Sequence, residues 1–143
     1  MMVERYPLEM FTFEILIGLV IAPSFRLTAF LLAGACLTAV LSEGLKLFFR
    51  EKRPEEALKR NFYRRTFRLN RRSFPSSHSA IAAFFPAFFY GSVLFVPFLA
   101  FSVAVMYSRI YIKSHYPRDV AAGAVIGASA GLASAWLMMH PWI

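Results

Sequence analysis

Apolar positions run in long blocks that charged residues separate, and each block can be measured against a bilayer core of roughly 30 Å, which about 20 helical residues cross. Met10 to Ala22 is interrupted only by Glu14, and residues 10–25 form a short first span ending near Pro23-Ser24. Leu27 to Phe49 forms a second, with Glu43 and Lys46 near its far end. The two make a helical hairpin. Met1-Met2-Val3-Glu4-Arg5 ahead of the first block has no net positive side-chain charge, so that block is expected to be a span and not a cleaved leader.

From Ser79 to Ser108 no charged residue occurs, and one helix of that length would reach about 45 Å. A break near Gly91-Ser92 or Pro97 divides the run into two spans, each borrowing a few polar residues at its outer end. The last span runs from about Arg118 to Met139. Five spans place the end of the second, the start of the third, the end of the fourth and the start of the fifth at one membrane face. Gly123, Gly127 and Gly131 recur every fourth residue in the last span, giving a smooth face for a neighbouring helix. That face is assigned to a contact within the chain and not to a dimer seam, so the expected state is a monomer or weak homo-oligomer.

Composition agrees with lipid as the solvent: 58% of the 143 residues are hydrophobic and the mean hydropathy is +0.53. The expected fold is all-α, a polytopic membrane bundle of about five transmembrane helices forming one domain over residues 1–143. Cys36 is the only cysteine and can supply neither an internal disulfide nor a cysteine zinc site. The net charge of +8 asks for an anionic partner, and so apolar a chain points to phosphorylated lipid and away from nucleic acid. Most of that charge lies in residues 50–75, where Leu58, Phe62, Phe67 and Leu69 are interleaved with arginines and lysines. An interfacial helix starting near Pro54 and a solvated basic loop both fit this segment.

Three clusters fall on the four helix ends that share a face: Lys46 through Arg53-Pro54, Pro75-Ser76-Ser77-His78, and Ser108-Arg109 followed by His115 and Asp119. Lys46, Arg53 and Arg109 are cationic donors able to surround a phosphoryl group. Ser76 and Ser77 stand where a helix begins, so hydroxyls and first-turn N–H groups can bind anionic oxygens. Two histidines and a carboxylate remain for covalent and proton-transfer work. His115 and Asp119 are four apart at the start of the last helix. An Asp119 hydrogen bond to one ring nitrogen would leave the other deprotonated and aimed at phosphorus, with His78 protonating the leaving oxygen. Singly, an arginine at a helix end reads as a snorkelling anchor and a serine before a helix as a cap. Convergence of all three clusters on one face outweighs those readings. Glu43 and Glu14 are left without an assigned role, a pairing with Lys46 being the structural reading of Glu43.

The spacings Lys46-x6-Arg53-Pro54, Pro75-Ser76-x-His78 and Ser108-Arg109-x5-His115-x3-Asp119 resemble the three-part signature of the type-2 phosphatidic acid phosphatase superfamily, which includes vanadium haloperoxidases. The resemblance covers residues 46 to about 125, and the one departure is Ser77, where the family usually has glycine. It implies His115 as nucleophile, Asp119 as its orienting partner, His78 as general acid, and Lys46, Arg53, Ser76, Ser77 and Arg109 as phosphate ligands. It also implies a phosphohistidine intermediate, with no metal or other cofactor. Family members act on phosphatidic acid, phosphatidylglycerol phosphate, undecaprenyl pyrophosphate or lipid A phosphates, and they usually have six spans. A lipid-to-lipid phosphotransferase using the same histidine is the alternative. The positive-inside rule would turn the basic face toward the cytoplasm. A clamp for anionic headgroups has its own reason to be basic, so the expectation is a multi-pass inner-membrane protein with an extracytoplasmic site.

Overall fold

The structure, a computed structural model, describes residues 24–49, 51–54 and 72–140. Residues 10–23 of the expected first span lie outside the described residues, as do residue 50 and residues 55–71 of the basic segment, including the expected interfacial helix. Four helices and no strand occur among the described residues: α1 (Phe25–Phe48), α2 (Ser77–Phe88), α3 (Phe95–Tyr111) and α4 (Pro117–Met139).

Polar residues between the apolar blocks set where the helices begin. Ser24 caps α1 by accepting from the Leu27 N–H at 3.2 Å, and Ser76 caps α2 by accepting from the Ser79 N–H at 3.4 Å. At α4, Pro117 takes the first position, where its missing N–H costs nothing. The Asp119 carboxylate there reaches back to the Tyr116 N–H at 3.0 Å.

The uncharged run breaks at Gly91, which adopts φ +80° inside the turn that joins α2 to α3. Pro97 falls in the first turn of α3, where a helix accepts proline. Pro86 lies inside α2 without an N–H to continue the ladder, and that helix stops at Phe88. The turn and the proline use up length. α2 has 12 residues and α3 has 17, both short of a full span, whereas α1 with 24 and α4 with 23 are long and apolar enough to cross a membrane. Of the about five transmembrane helices expected, the described residues thus hold two that are long and apolar enough to cross a membrane and two shorter helices.

Helix α2 sits between the others, packing mainly on α4 and also on α3 and α1. The glycine face of α4 is what brings α4 so close. A Cβ on Gly127 would collide with the carbonyl of Ala80, one on Gly123 with that of Ser76, and one on Gly131 with that of Phe84. Away from the helix ends that carry the site, Leu31, Phe84, Phe85, Phe88, Phe89 and Phe98 form the core, with Phe89 and Phe98 stacked 5.2 Å apart. Outward faces are also apolar: Val40, Val125 and Trp136 are each more than half exposed.

Candidate active site

The chain runs up α1, down α2, up α3 and down α4, so the end of α1, the start of α2, the end of α3 and the start of α4 meet. Arg53 arrives from the connection after α1. There Lys52 bridges to Arg72 in antiparallel fashion and the Ser73 N–H donates to the Glu51 carbonyl at 2.9 Å. This short pairing sets Arg53 and Ser73 side by side at the helix ends, both buried.

The Arg109-x5-His115 spacing has a local cause. Helix α3 ends with Ile112 as its cap and Lys113 in the left-handed region at φ 52°. The Lys113 N–H donates to the Ile110 carbonyl at 2.9 Å and the Ser114 N–H to the Arg109 carbonyl at 3.0 Å. That pair of bonds is a Schellman termination, which folds the chain back over the last helical turn. The His115 N–H also donates to the Arg109 carbonyl, at 3.3 Å, so His115 lies beside Arg109 as a direct result.

The hydrogen bonds of His115 define its tautomer. Arg53 can only donate, and its Nη1 lies 2.9 Å from His115 Nε2. Nε2 therefore accepts, and Nδ1 carries the proton, which it donates to the Ser73 carbonyl at 2.9 Å. Arg53 Nη1 donates as well to the Ser114 carbonyl at 3.1 Å. Burial drives the His115 pKa down to about 4; Asp119 opposes the shift, while Arg53 and Lys46 reinforce it. The ring is neutral at neutral pH.

Asp119 is fully buried but makes no direct hydrogen bond to His115: Nδ1 and Oδ2 are 3.8 Å apart. Ser73 stands between them. Its hydroxyl donates to Asp119 Oδ2 while its carbonyl holds the histidine proton. The direct pairing expected from the four-residue spacing is replaced by this relay, because Oδ2 is turned to cap Tyr116. Ser73 was not legible as a site residue, since one serine in a basic segment carries no signal of its own.

Ser76 has the expected position with different partners. Its N–H donates to the Asp119 carbonyl at 3.0 Å and its hydroxyl accepts from Ser79. The N–H groups of Ser77 and His78 have no acceptor among the described residues, as is normal for a first helical turn. Ser77 Oγ donates to Glu43 Oε1 at 2.7 Å, and the same oxygen accepts from Lys46 Nζ at 2.6 Å. The Glu43–Lys46 pair is thus present, extended by Ser77. Arg109 is 1% exposed, and Arg109, His115, Lys46 and Arg53 all act electrostatically on His78. Among the described residues, no three His, Cys, Asp or Glu side chains gather as metal ligands would.

Buried cations, first-turn N–H groups without an acceptor among the described residues and a neutral histidine with a fixed tautomer form a site suited to an oxyanion with a nucleophile beside it. The PAP2 superfamily matches over residues 27–142, and the chain belongs to this superfamily, that of the type-2 phosphatidic acid phosphatases. Membership supports phosphatase activity on phosphate esters. No curated protein and no solved structure matches the chain.

Proposed function

We propose that the protein is an integral membrane lipid phosphatase that removes phosphate from a lipid headgroup through a phosphohistidine on His115, without a metal. One observation carries this reading: the His115 proton is held on Nδ1 by the Ser73 carbonyl, so the Nε2 lone pair faces Arg53 inside the cationic cluster. A phosphoryl group would lie between Lys46, Arg53, Arg109, Ser77 and the first-turn N–H groups of α2, with the Ser76 hydroxyl supplying a further donor. Arg53 then moves its hydrogen bond from Nε2 to a phosphoryl oxygen, which frees the nucleophile.

Nε2 attacks phosphorus in line, the bond to the lipid oxygen breaks, and His78 gives that oxygen a proton. A bound phosphate's negative charge supports a protonated His78 as the acid for this step. The phosphohistidine ring carries a positive charge, which Asp119 stabilises from 3.8 Å with Ser73 between them. Water, losing its proton to His78, then attacks phosphorus, and inorganic phosphate leaves with Nε2 restored.

The apolar outer faces of α1 and α4, with Val40 and Val125 exposed, support a bilayer setting. In this reading the chain is a multi-pass protein of the inner membrane, with the site on the extracytoplasmic side and an anionic lipid phosphate as substrate. The test is phosphate release from phosphatidic acid, phosphatidylglycerol phosphate, undecaprenyl pyrophosphate and lipid A, with and without EDTA. His115→Ala is expected to release less than roughly a tenth of the wild-type phosphate. Wild-type activity lost in EDTA and restored by a divalent ion would overturn the metal-free mechanism.

A further inference from the structure

The Glu43 carboxylate lies at the mouth of the cationic cluster. Its Oε1 takes hydrogen bonds from Lys46 Nζ at 2.6 Å and Ser77 Oγ at 2.7 Å, joining the end of α1 to the start of α2. The Lys46 side chain is 6% exposed and that of Glu43 is 52% exposed. An anionic oxygen is therefore already bound by two of the groups assigned above to substrate phosphate. Any phosphoryl oxygen that binds Lys46 and Ser77 competes with Glu43 for the same two donors, and the exposed side of the carboxylate gives it room to leave.

We propose that Glu43 is a specificity-determining residue, an internal anion that doubly charged phosphomonoester or diphosphate headgroups displace and singly charged phosphodiester lipids do not. The inference rests on the lipid phosphatase reading. Exchanging a carboxylate for a phosphodiester trades one negative charge for one, so the cluster gains little attraction while the diester is still desolvated. A phosphomonoester brings a second charge to Lys46, Arg53 and Arg109 together, and that surplus drives Glu43 out. A phosphatase embedded among phosphodiester lipids needs this discrimination, because those lipids would otherwise occupy its phosphate donors. Ser77 is the second half of the device. A glycine there, as is usual in the family, has no hydroxyl to hold Oε1.

The test measures phosphate release from phosphatidic acid by the full-length protein in non-ionic detergent micelles carrying rising fractions of phosphatidylglycerol. Wild type should keep an almost constant apparent KM, whereas in Glu43→Gln equimolar phosphatidylglycerol should raise it about tenfold, the effect of removing one competing charge. Ser77→Gly should raise it in the same direction but by less, since Lys46 still holds the carboxylate. An identical response of wild type and Glu43→Gln to phosphatidylglycerol overturns the proposal. If Glu43→Gln does not fold, Ser77→Gly decides, and a wild-type response from it is equally fatal. A wild type that releases no phosphate from any lipid phosphate defeats the phosphatase reading itself, and this proposal with it.

Discussion

His115 and Asp119 are held 3.8 Å apart by Ser73, which takes the ring proton on its carbonyl and gives its own hydroxyl proton to the carboxylate. Groups that orient a reacting histidine at one remove typically matter by about 10- to 100-fold. Ser73→Ala, which keeps the carbonyl and deletes the hydroxyl, should lower kcat by about that range with KM little changed. Threonine should restore much of the loss. In an Asp119→Ala background the Ser73→Ala change should add almost nothing, because the two act as one unit. Full additivity would separate Ser73 from Asp119.

Acid sensitivity should follow the depressed His115 pKa. Only the neutral ring can attack, so the acid limb of kcat/KM due to His115 should lie near pH 4. Arg53 is one of the cations that lower this pKa, so in Arg53→Ala the limb should shift upward. A pH profile in which it stays put or moves down contradicts the arrangement. The unfolded chain protonates this histidine at a higher pH than the folded protein does. Its contribution to stability is therefore lost as pH falls from the ordinary histidine range toward 4.

Close approach of α2 and α4 depends on Gly127, where a Cβ would lie 2.6 Å from the carbonyl carbon of Ala80. Rigid backbone cannot yield as a side-chain tip does. Gly127→Ala should therefore destabilise the protein by about 1–3 kcal/mol despite alanine's better helix propensity. Thermal unfolding in detergent checks this, and an unchanged or higher Tm would show that the helices are not in contact there.

Lys113 occupies a left-handed position that glycine fills without cost. Lys113→Gly should raise stability by about 1 kcal/mol and leave the Schellman bonds to Arg109 and Ile110 in place. A lower Tm would mean that the lysine side chain contributes more than its backbone costs.

The meeting of the three motifs was legible in the sequence, because alternating helix directions and a break in the uncharged run carry Lys46, Ser77, Arg109 and His115 to one end of the bundle. The glycine interval was legible too, being a local periodicity. Its partner was not: whether the smooth face of α4 meets α1, α2 or α3 depends on packing between segments far apart in the chain. Helix lengths followed from details that hydropathy does not weigh, Pro86 and the left-handed Gly91. Tertiary structure alone placed Ser73 against His115, 42 positions away, and directed Asp119 Oδ2 to the Tyr116 N–H and the Ser73 hydroxyl instead of the imidazole. Spacing along a helix decides which residues share a turn. Which buried donor a carboxylate finally accepts from is decided by the competition among all the polar groups that folding brings around it.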